Sequence, residues 1–191
     1  MLDKIKSFFS SLKYFGLKNR LIYFCENKSI YDKIIIKEIN FAKKNNFNLK
    51  NILIISYKNN LDFIEEKDII KINFKDEFSL RLFLTNLKNS IIISTTPSFN
   101  KKISNKSNKF YYTHHSLGLL TNNYVGNYLK DFDFVCVNNQ DQFDQLLKLE
   151  LVDTKKILKE RYYDLDLILN DLKKNNKNKK INKTILIASS F

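Results

Sequence analysis

The sequence predicts an α/β domain of the Rossmann-like, doubly wound type, with a mostly parallel sheet covered by helices on both faces. Short continuous apolar runs such as LIYFC and SIIIST alternate with longer segments whose apolar residues recur at helical spacing. Continuous apolar runs are typical of strands buried on both faces, and their alternation with helices is typical of parallel sheets. The length of 191 residues fits one such domain with the beginning of another.

The predicted elements follow one another at regular intervals. Strands are predicted at 21–25, 51–57, 68–74, 90–95, 109–114 and 132–139. Helices are predicted at 29–46, 76–89, 140–151 and 164–174. Ser29 is the predicted N-cap of the first helix, and acidic residues open the second, where the helix dipole favours them.

The two ends of the chain depart from this alternation. Residues 1–19 predict an amphipathic helix with flanking lysines, which suits either packing on its own domain or contact with an anionic membrane surface. Residues 173–183 predict a basic linker, with a nucleic-acid-binding tail as the alternative. Residues 184–191 predict another strand. We expect residues 20–172 to form the first domain and this last strand to begin a C-terminal domain; alternatively, the strand returns to the first sheet.

The chain is strongly basic. Lys and Arg number 33 against 20 Asp and Glu, which gives a formal net charge of +13. Such a charge is typical of proteins that bind nucleic acid, anionic membranes or phosphate-bearing substrates. The alternative is compositional, because an AT-rich genome readily encodes Lys, Asn and Ile. Arg is scarce, and bidentate Arg contacts dominate duplex recognition, so nucleic acid is the least favoured of these partners.

Several functional classes leave no motif in this chain. Its three glycines form neither a GxGxxG fingerprint nor a phosphate-binding P-loop, and no GxSxG elbow is present. No Cys/His spacing resembles a zinc site, so we expect neither a metal nor another cofactor. Cys25 and Cys136 lie in apolar runs and are expected to be buried thiols of a reducing cytoplasm. No apolar run approaches the roughly 20 residues that span a bilayer.

Both histidines of the chain stand in one short stretch, FYYTHHSLGLL. A predicted strand runs into His115, Ser116 and Gly118, which puts an imidazole at the carboxyl end of a strand, where α/β proteins bind their ligands. Histidine exchanges protons near neutral pH, and glycine permits backbone turns that other residues resist. The alternative is that His114 and His115 only cap the strand through local hydrogen bonds.

The preceding strand ends in the hydroxyl-rich sequence STTPSF, which contains the only proline. Thr95, Thr96 and Ser98 therefore follow one predicted strand much as the histidines follow the next. Adjacent strands would bring both loops to one rim of the sheet. The predicted substrate-binding residues are thus Thr95, Thr96, Ser98, His114, Ser116 and Gly118, with His115 as the predicted catalytic residue.

The order of these motifs resembles the N-terminal half of the CDP-glycerol glycerophosphotransferases, the teichoic-acid-type polymerases and their capsule relatives. A Thr-Thr-Pro strand end, a Tyr-rich strand entering His-Ser, and the strand DFDFVCV leading to a polar helix start occur in the family's order. KILKERYYDLDLIL resembles the family's link into a further helix, although Glu160, Arg161 and Tyr162 replace its usual Gly-Tyr-Pro. TILIASSF is similar to the first strand of the family's second domain. The similarity covers about half of the chain, from Ile91 onward.

This resemblance implies the N-terminal half of a GT-B fold, in which two Rossmann-like domains face each other. The chain would supply the acceptor-side domain and be inactive alone, since CDP-glycerol or another CDP-activated donor binds mainly to the C-terminal domain. His115, directly before Ser116, takes the position of the family's proposed base. His114 is the weaker candidate because strand alternation directs it away from the face of Thr113 and His115.

The resemblance also implies partners and a location. The acceptor would be polyanionic or lipid-linked, and the protein would lie in the cytoplasm, peripherally on the inner face of the cell membrane. Two alternatives remain at this point. One is the N-terminal domain of a GT-B glycosyltransferase that makes capsule or lipid-linked glycan. The other is a non-enzymatic, basic membrane-binding module.

Overall fold

The computed structural model describes residues 12, 14, 16–25, 32–57, 61–95, 104–113 and 127–159, with side chains in the first helix from residue 35 onward. The chain divides into two compact units, Met1–Glu160 and Arg161–Phe191. All described residues belong to the first unit. Four predicted elements lie wholly or mostly outside the described residues: the linker, the last strand, the helix at 164–174 and the N-terminal helix.

Seven strands and three α-helices make up the described part of the chain. The strands are β1 (Leu21–Cys25), β2 (Ile52–Tyr57), β3 (Ile70–Phe74), β4 (Ile91–Ser94), β5 (Lys109–Thr113), β6 (Phe134–Val137) and β7 (Ile157–Lys159). The helices are α1 (Asp32–Lys44), α2 (Glu77–Asn86) and α3 (Gln140–Lys148). Short 3₁₀ turns occur at Leu49–Asn51, Asn127–Asp131 and Thr154–Lys156.

The predicted strands and helices that fall within the described residues agree with these bounds to within a few residues, and the structure adds one strand to them. β7 was not predicted, because residues 157–159 were interpreted as part of a link into a further helix. In the structure they pair with β6, with Ile157 opposite Val135 and Lys159 opposite Val137. The predicted N-cap, Ser29, lies outside the described residues.

The strands form one parallel sheet in the order β3-β2-β1-β4-β5-β6-β7. The prediction of a Rossmann-like, doubly wound α/β fold is therefore confirmed, and every described pairing is parallel. The chain builds outward from β1 to β3, crosses back to β4, and builds outward again to β7. Leu21 of β1 pairs with Ile52 of β2 on one side and with Ile91 of β4 on the other. Because β1 to β3 extend the sheet in one direction and β4 to β7 extend it in the other, the direction of winding changes between β1 and β4.

Helices cover the two faces of the sheet in the way that right-handed crossovers require. α1 links β1 to β2 and packs on one face, which we call the α1 face; α2 and α3 follow crossovers in the opposite direction and pack on the other. Strand residues alternate between the faces, so Ile22 and Phe24 join the α2/α3 face while Tyr23 and Cys25 join the α1 face. The α1 face is completed by Ile35, Ile39, Ile52, Ile54, Leu61, Ile64 and Ile69.

A buried amide joins α2, β4 and β5 at the amino end of the sheet. The side chain of Asn108 is fully buried. Its Oδ1 accepts a hydrogen bond from the Ser90 backbone N–H at 3.0 Å, and its Nδ2 donates to the Leu87 carbonyl and to Ser104 Oγ, each at 2.9 Å. The amide therefore fixes the start of β4 against the end of α2 just before β5 begins.

Helix ends are closed by local side-chain and backbone bonds. Asp76 caps α2 by accepting from the Ser79 N–H at 2.8 Å, and Asn139 caps α3 by accepting from the Gln142 N–H at 2.8 Å. Asn46 and Glu150, which follow α1 and α3, adopt φ values of 56° and 50°. These residues turn the chain out of the helices.

None of the helices in the described part of the chain has both the length and the apolar character that crossing a membrane demands.

Candidate functional site

A small cavity lies at the carboxyl ends of the central strands, where the winding direction changes. Open α/β sheets bind ligands in the crevice at this switch point, outside the carboxyl ends of the strands. The cavity has a volume of about 80 Å³. The described residues that line it are Tyr23, Phe24, Ile35, Glu38, Ile93, Thr95 and Thr113. We call this feature the switch-point cavity.

The register of the sheet places the two threonines side by side. Ser94 of β4 pairs with Tyr112 of β5, and Thr95 and Thr113 each come one residue later. Neighbouring strands lie about 4.8 Å apart, so the two threonines stand together at the rim. Thr95 lies two residues after Ile93, and Thr113 lies two residues after Tyr111, the residue that pairs with Ile93. Because Ile93 packs on the α1 face, this alternation places Thr95 and Thr113 toward that face.

Helix α1 contributes an acid to the other wall of the cavity. The side chains of Ile35 and Ile39 are 4% and 2% exposed, so the side of α1 that carries them faces the sheet. Glu38 follows Ile35 by three residues and precedes Ile39 directly, so it lies on the same buried side of the helix. It is itself half-buried. A glutamate is uncommon on the side of a helix that faces a sheet.

The residues that line the cavity are of both polar and apolar types. Among the lining residues, Glu38 carries a carboxylate, a group that accepts hydrogen bonds, and Tyr23, Thr95 and Thr113 carry hydroxyls, which both donate and accept. The remaining described lining residues are aliphatic or aromatic, and none is Lys or Arg. Sites for whole small molecules usually measure about 300–1,000 Å³, so this cavity suits a single small group, comparable to a few water molecules.

The predicted site residues are only partly within the described chain. Thr95 is described and lines the switch-point cavity. The other six, Thr96, Ser98, His114, His115, Ser116 and Gly118, lie outside the described residues. β4 and β5 are adjacent in the sheet, so the strand ends that precede the two predicted loops are neighbours on one rim.

Sequence reasoning did not identify Tyr23, Glu38 or Thr113 as site residues. Glu38 did carry a signal, since it interrupts the apolar stripe that Ile35, Ile39 and Ala42 form along α1. Thr113 could have been found as the last residue of the strand that enters the histidine pair. Tyr23 carried no signal, because its place at the cavity depends on β1 lying beside β4.

The cysteines take no part in this lining. Cys25 and Cys136 are buried and are not joined in a disulfide, which confirms the prediction of two buried thiols. In the described ranges of the chain, no three His, Cys, Asp or Glu side chains come together as a metal-binding group would.

No protein-family model matches this sequence, and no curated protein matches it. The resemblance to the CDP-glycerol glycerophosphotransferases therefore stays a prediction, which depends on the order of the motifs after Ile91.

Proposed function

We propose that this chain is the acceptor-side domain of a transferase of the CDP-glycerol glycerophosphotransferase type, acting in the synthesis of teichoic acid or capsule. The observation that carries the proposal is the switch-point cavity on the rim formed by β1, β4 and β5. Thr95 opens the Thr-Thr-Pro motif, and Thr113 directly precedes the histidine pair. Both threonines line the cavity, so the two motifs of the resemblance leave the sheet at the same place.

In the proposed reaction, His115 is the general base. Its imidazole takes the proton of an acceptor hydroxyl while that oxygen attacks the phosphorus that carries the glycerol of the donor. The new oxygen–phosphorus bond forms as the bond to CMP breaks, and CMP leaves with the electron pair. A positioned base of this kind contributes about 10²–10⁴-fold in rate. Orientation and charge neutralisation in the complete enzyme supply the remainder.

Chain connectivity keeps this base near the cavity. His115 follows Thr113 by two residues, and two residues span at most about 7 Å when fully extended. The absence of a glycine-rich phosphate loop from the sequence also fits an acceptor-side domain, because the nucleotide would bind mainly to the other half of a GT-B enzyme. We include the GT-B arrangement, and residues 184–191 as the first strand of that half, in the proposal.

The basic character of the chain suits the proposed acceptor. A net charge of +13 attracts a polyanionic polymer and also the anionic inner leaflet of a membrane. We therefore propose that the protein acts in the cytoplasm, peripherally at the inner face of the cell membrane.

The first test is the DNA that follows the codon for Phe191. A reading frame that continues into a second Rossmann-like half supports the proposal. If no donor-binding half is encoded there or in the adjacent gene, the proposed enzyme is wrong and a binding module takes its place.

The second test replaces the base in the protein translated from the whole reading frame. We expect His115→Ala to lower CMP release from CDP-glycerol by about 10²–10⁴-fold, with thermal unfolding unchanged. His114→Ala, the neighbouring histidine, is compared in parallel and should lose much less. Activity of His115→Ala within a few-fold of the parent would remove His115 from the mechanism, and a larger loss for His114→Ala would transfer the role to His114.

A glycosyltransferase of the same architecture is the second candidate, because the hydroxyl-rich lining of the cavity suits a sugar acceptor as well as a glycerol acceptor. The two functions differ in the donor. A comparison of CDP-glycerol with nucleotide sugars, using the same full-length protein, separates them.

A further inference from the structure

We propose that the amino edge of the sheet, where α1 ends and the central strands begin, is a contact surface for an anionic lipid bilayer. The surface consists of Lys18, Phe41, Lys44, Phe47, Lys50 and Lys88, and we call it the amino-edge patch. The inference rests on the part of the proposed function that locates the protein at a membrane, and it is independent of the proposed reaction. It adds the residues that make the contact and the orientation that follows from them.

Exposed aromatic side chains are concentrated at the end of α1. Among the described residues, three phenylalanines are exposed, and two of them are Phe41 and Phe47, at 53% and 46%. The backbone turn after α1 keeps them close in the fold, because the Phe47 N–H donates at 2.9 Å to the carbonyl of Ala42, the residue next to Phe41. Apolar side chains that are exposed together are typical of surfaces that bind a partner.

Lysines surround these two rings. β2, β1, β4 and β5 are neighbours in the sheet, and an exposed lysine stands two or three residues before the first residue of each: Lys50, Lys18, Lys88 and Lys106. Lys44 is also exposed and follows Phe41 by three residues, on the same side of α1. Within the described ranges of the chain, none of these five lysines takes part in an ion pair.

This arrangement of charge requires an anionic partner. A parallel backbone bridge places Lys18 beside Lys88, and like charges on neighbouring strands repel each other. Asp68 and Asp131 precede β3 and β6, the strands on either side of the central four, so the positive charge is concentrated in the middle of the edge. An anionic surface that covers this part of the edge would neutralise the lysines together.

The kind of cation favours a bilayer over the other polyanions. Arg20, the arginine at this edge, is used within the fold, since its Nη1 donates to the Lys50 carbonyl at 2.6 Å and to Asn51 Oδ1 at 3.1 Å. Duplex recognition depends on bidentate arginines, and protein interfaces are enriched in arginine and depleted in lysine. Lysines beside exposed apolar side chains are typical of surfaces that lie on anionic membranes, where the rings enter the interface and the ammonium groups stay among the headgroups.

The patch and the switch-point cavity lie at opposite edges of the sheet. α1 begins after the carboxyl end of β1 and ends before the amino end of β2, so the end of α1 is at the amino edge. The five residues of β1 span about 17 Å between the two edges. A bilayer bound to the amino-edge patch would therefore leave the cavity on the side of the domain that faces away from the lipid.

The first experiment measures co-sedimentation of the 191-residue chain with vesicles. We expect it to bind vesicles of phosphatidylcholine mixed with phosphatidylglycerol, and to bind vesicles of phosphatidylcholine alone at least about tenfold more weakly. The double variant Phe41→Ser/Phe47→Ser should bind the anionic vesicles about tenfold more weakly than the parent. Phe78→Ser is the matched control and should bind like the parent, because Phe78 is 67% exposed but stands in the first turn of α2, beside Glu77.

A single change of charge tests the lysines separately. Lys50→Gln should weaken binding to the anionic vesicles about fivefold, which is the usual contribution of one lysine near such a surface. Lys75→Gln removes the same charge from an exposed residue that follows the carboxyl end of β3, and should bind like the parent. Thermal unfolding of all variants should match that of the parent, because every substituted side chain is exposed.

A spectroscopic measurement tests insertion directly. The sequence contains no tryptophan, so Phe47→Trp introduces a single fluorophore into the patch. We expect its emission to move to shorter wavelength on anionic vesicles and to be quenched by lipids with brominated acyl chains. Phe78→Trp should show neither change.

The outcomes separate this inference from its rivals. Undiminished vesicle binding by both Phe41→Ser/Phe47→Ser and Lys50→Gln overturns it, and so does an unchanged emission of Phe47→Trp. If Phe8→Asp abolishes binding while the patch variants bind like the parent, the contact belongs to the predicted N-terminal helix and the inference is wrong. A single-stranded oligonucleotide that binds more tightly than anionic vesicles, with the same dependence on Phe41 and Phe47, would also overturn it.

The inference and the proposed reaction can fail separately. If the full-length protein releases CMP from CDP-glycerol but the patch does not bind vesicles, only the inference is wrong. If the patch inserts into anionic vesicles as expected and no donor is used, the contact surface is supported and the proposed reaction is wrong.

Discussion

Asparagine occupies several backbone positions with positive φ, which glycine occupies in most proteins. After α1, the Asn46 N–H donates to the Lys43 carbonyl at 3.0 Å and the Phe47 N–H donates to the Ala42 carbonyl at 2.9 Å, which is the Schellman arrangement. Asn46 has a φ of 56° there, and Asn19 and Asn89 also have positive φ. Asparagine tolerates this left-handed region better than most residues. With only three glycines, the chain makes these turns from its abundant asparagines.

The same turn after α3 carries a glutamate, which predicts a stabilising substitution. Glu150 has a φ of 50°, and its N–H and that of Leu151 close a second Schellman motif on Leu147 and Leu146. A left-handed residue with a Cβ costs about 1–2 kcal/mol, partly offset by the greater freedom of glycine in the unfolded chain. We expect Glu150→Gly to raise the free energy of unfolding by about 0.5–1 kcal/mol, measured by urea denaturation.

Asn46→Gly is the comparison for that substitution. Asparagine already suits the left-handed region, so this variant should gain less than Glu150→Gly. A loss of stability in Glu150→Gly would show that the glutamate side chain contributes more than its backbone strain costs.

The junction of α2, β4 and β5 depends on the single amide of Asn108. Asn108→Ala would leave the Ser90 N–H and the Leu87 carbonyl without their partner in a buried place, at about 1–3 kcal/mol for each unsatisfied group. We expect a total loss of about 3 kcal/mol in the free energy of unfolding. Asn40→Ala, at an exposed position of α1, serves as the control and should change stability by less than about 0.5 kcal/mol. Equal effects of the two variants would contradict this role for Asn108.

The elements differ in how far the sequence could predict them. β1, β2 and β4 are continuous apolar runs that require burial wherever they lie, so their places could be predicted from the residues alone. β7 has only Ile157, Leu158 and Lys159, and it is a strand because β6 offers it an unpaired edge. Such short edge strands depend on tertiary pairing, which local pattern does not contain.

The candidate site shows the same division. Thr95 could be predicted because hydroxyls at the end of an apolar run are expected at a ligand-binding rim. Tyr23 and Glu38 meet Thr95 and Thr113 only because β1 lies between β2 and β4. Strand order is a property of the whole chain, so the sequence could predict that a rim exists but not which elements share it.

Burial is uneven across the sheet, so we expect the strands to differ in their stability against local opening. Ile52, Leu53, Ile54 and Ile55 of β2 are fully buried, as is Ile22 of β1. Among the described strands, β3 and β7 each have one neighbour. Local opening costs least where few buried contacts and few ladder hydrogen bonds are lost. We expect amides of β1 and β2 to exchange with solvent about 100-fold or more slowly than those of β3 and β7, in hydrogen exchange read by mass spectrometry or NMR. Equal protection in β7 and β1 would contradict this order.

The two thiols lie on opposite sides of the point where the winding reverses. Cys25 belongs to β1 and Cys136 to β6, and each is 2% exposed. An alkylating reagent reaches such a sulfur only after the strands around it separate. The unmodified protein therefore contains one natural thiol probe on each side of this point. The ratio of the two labelling rates shows whether the two sides of the sheet open together or independently.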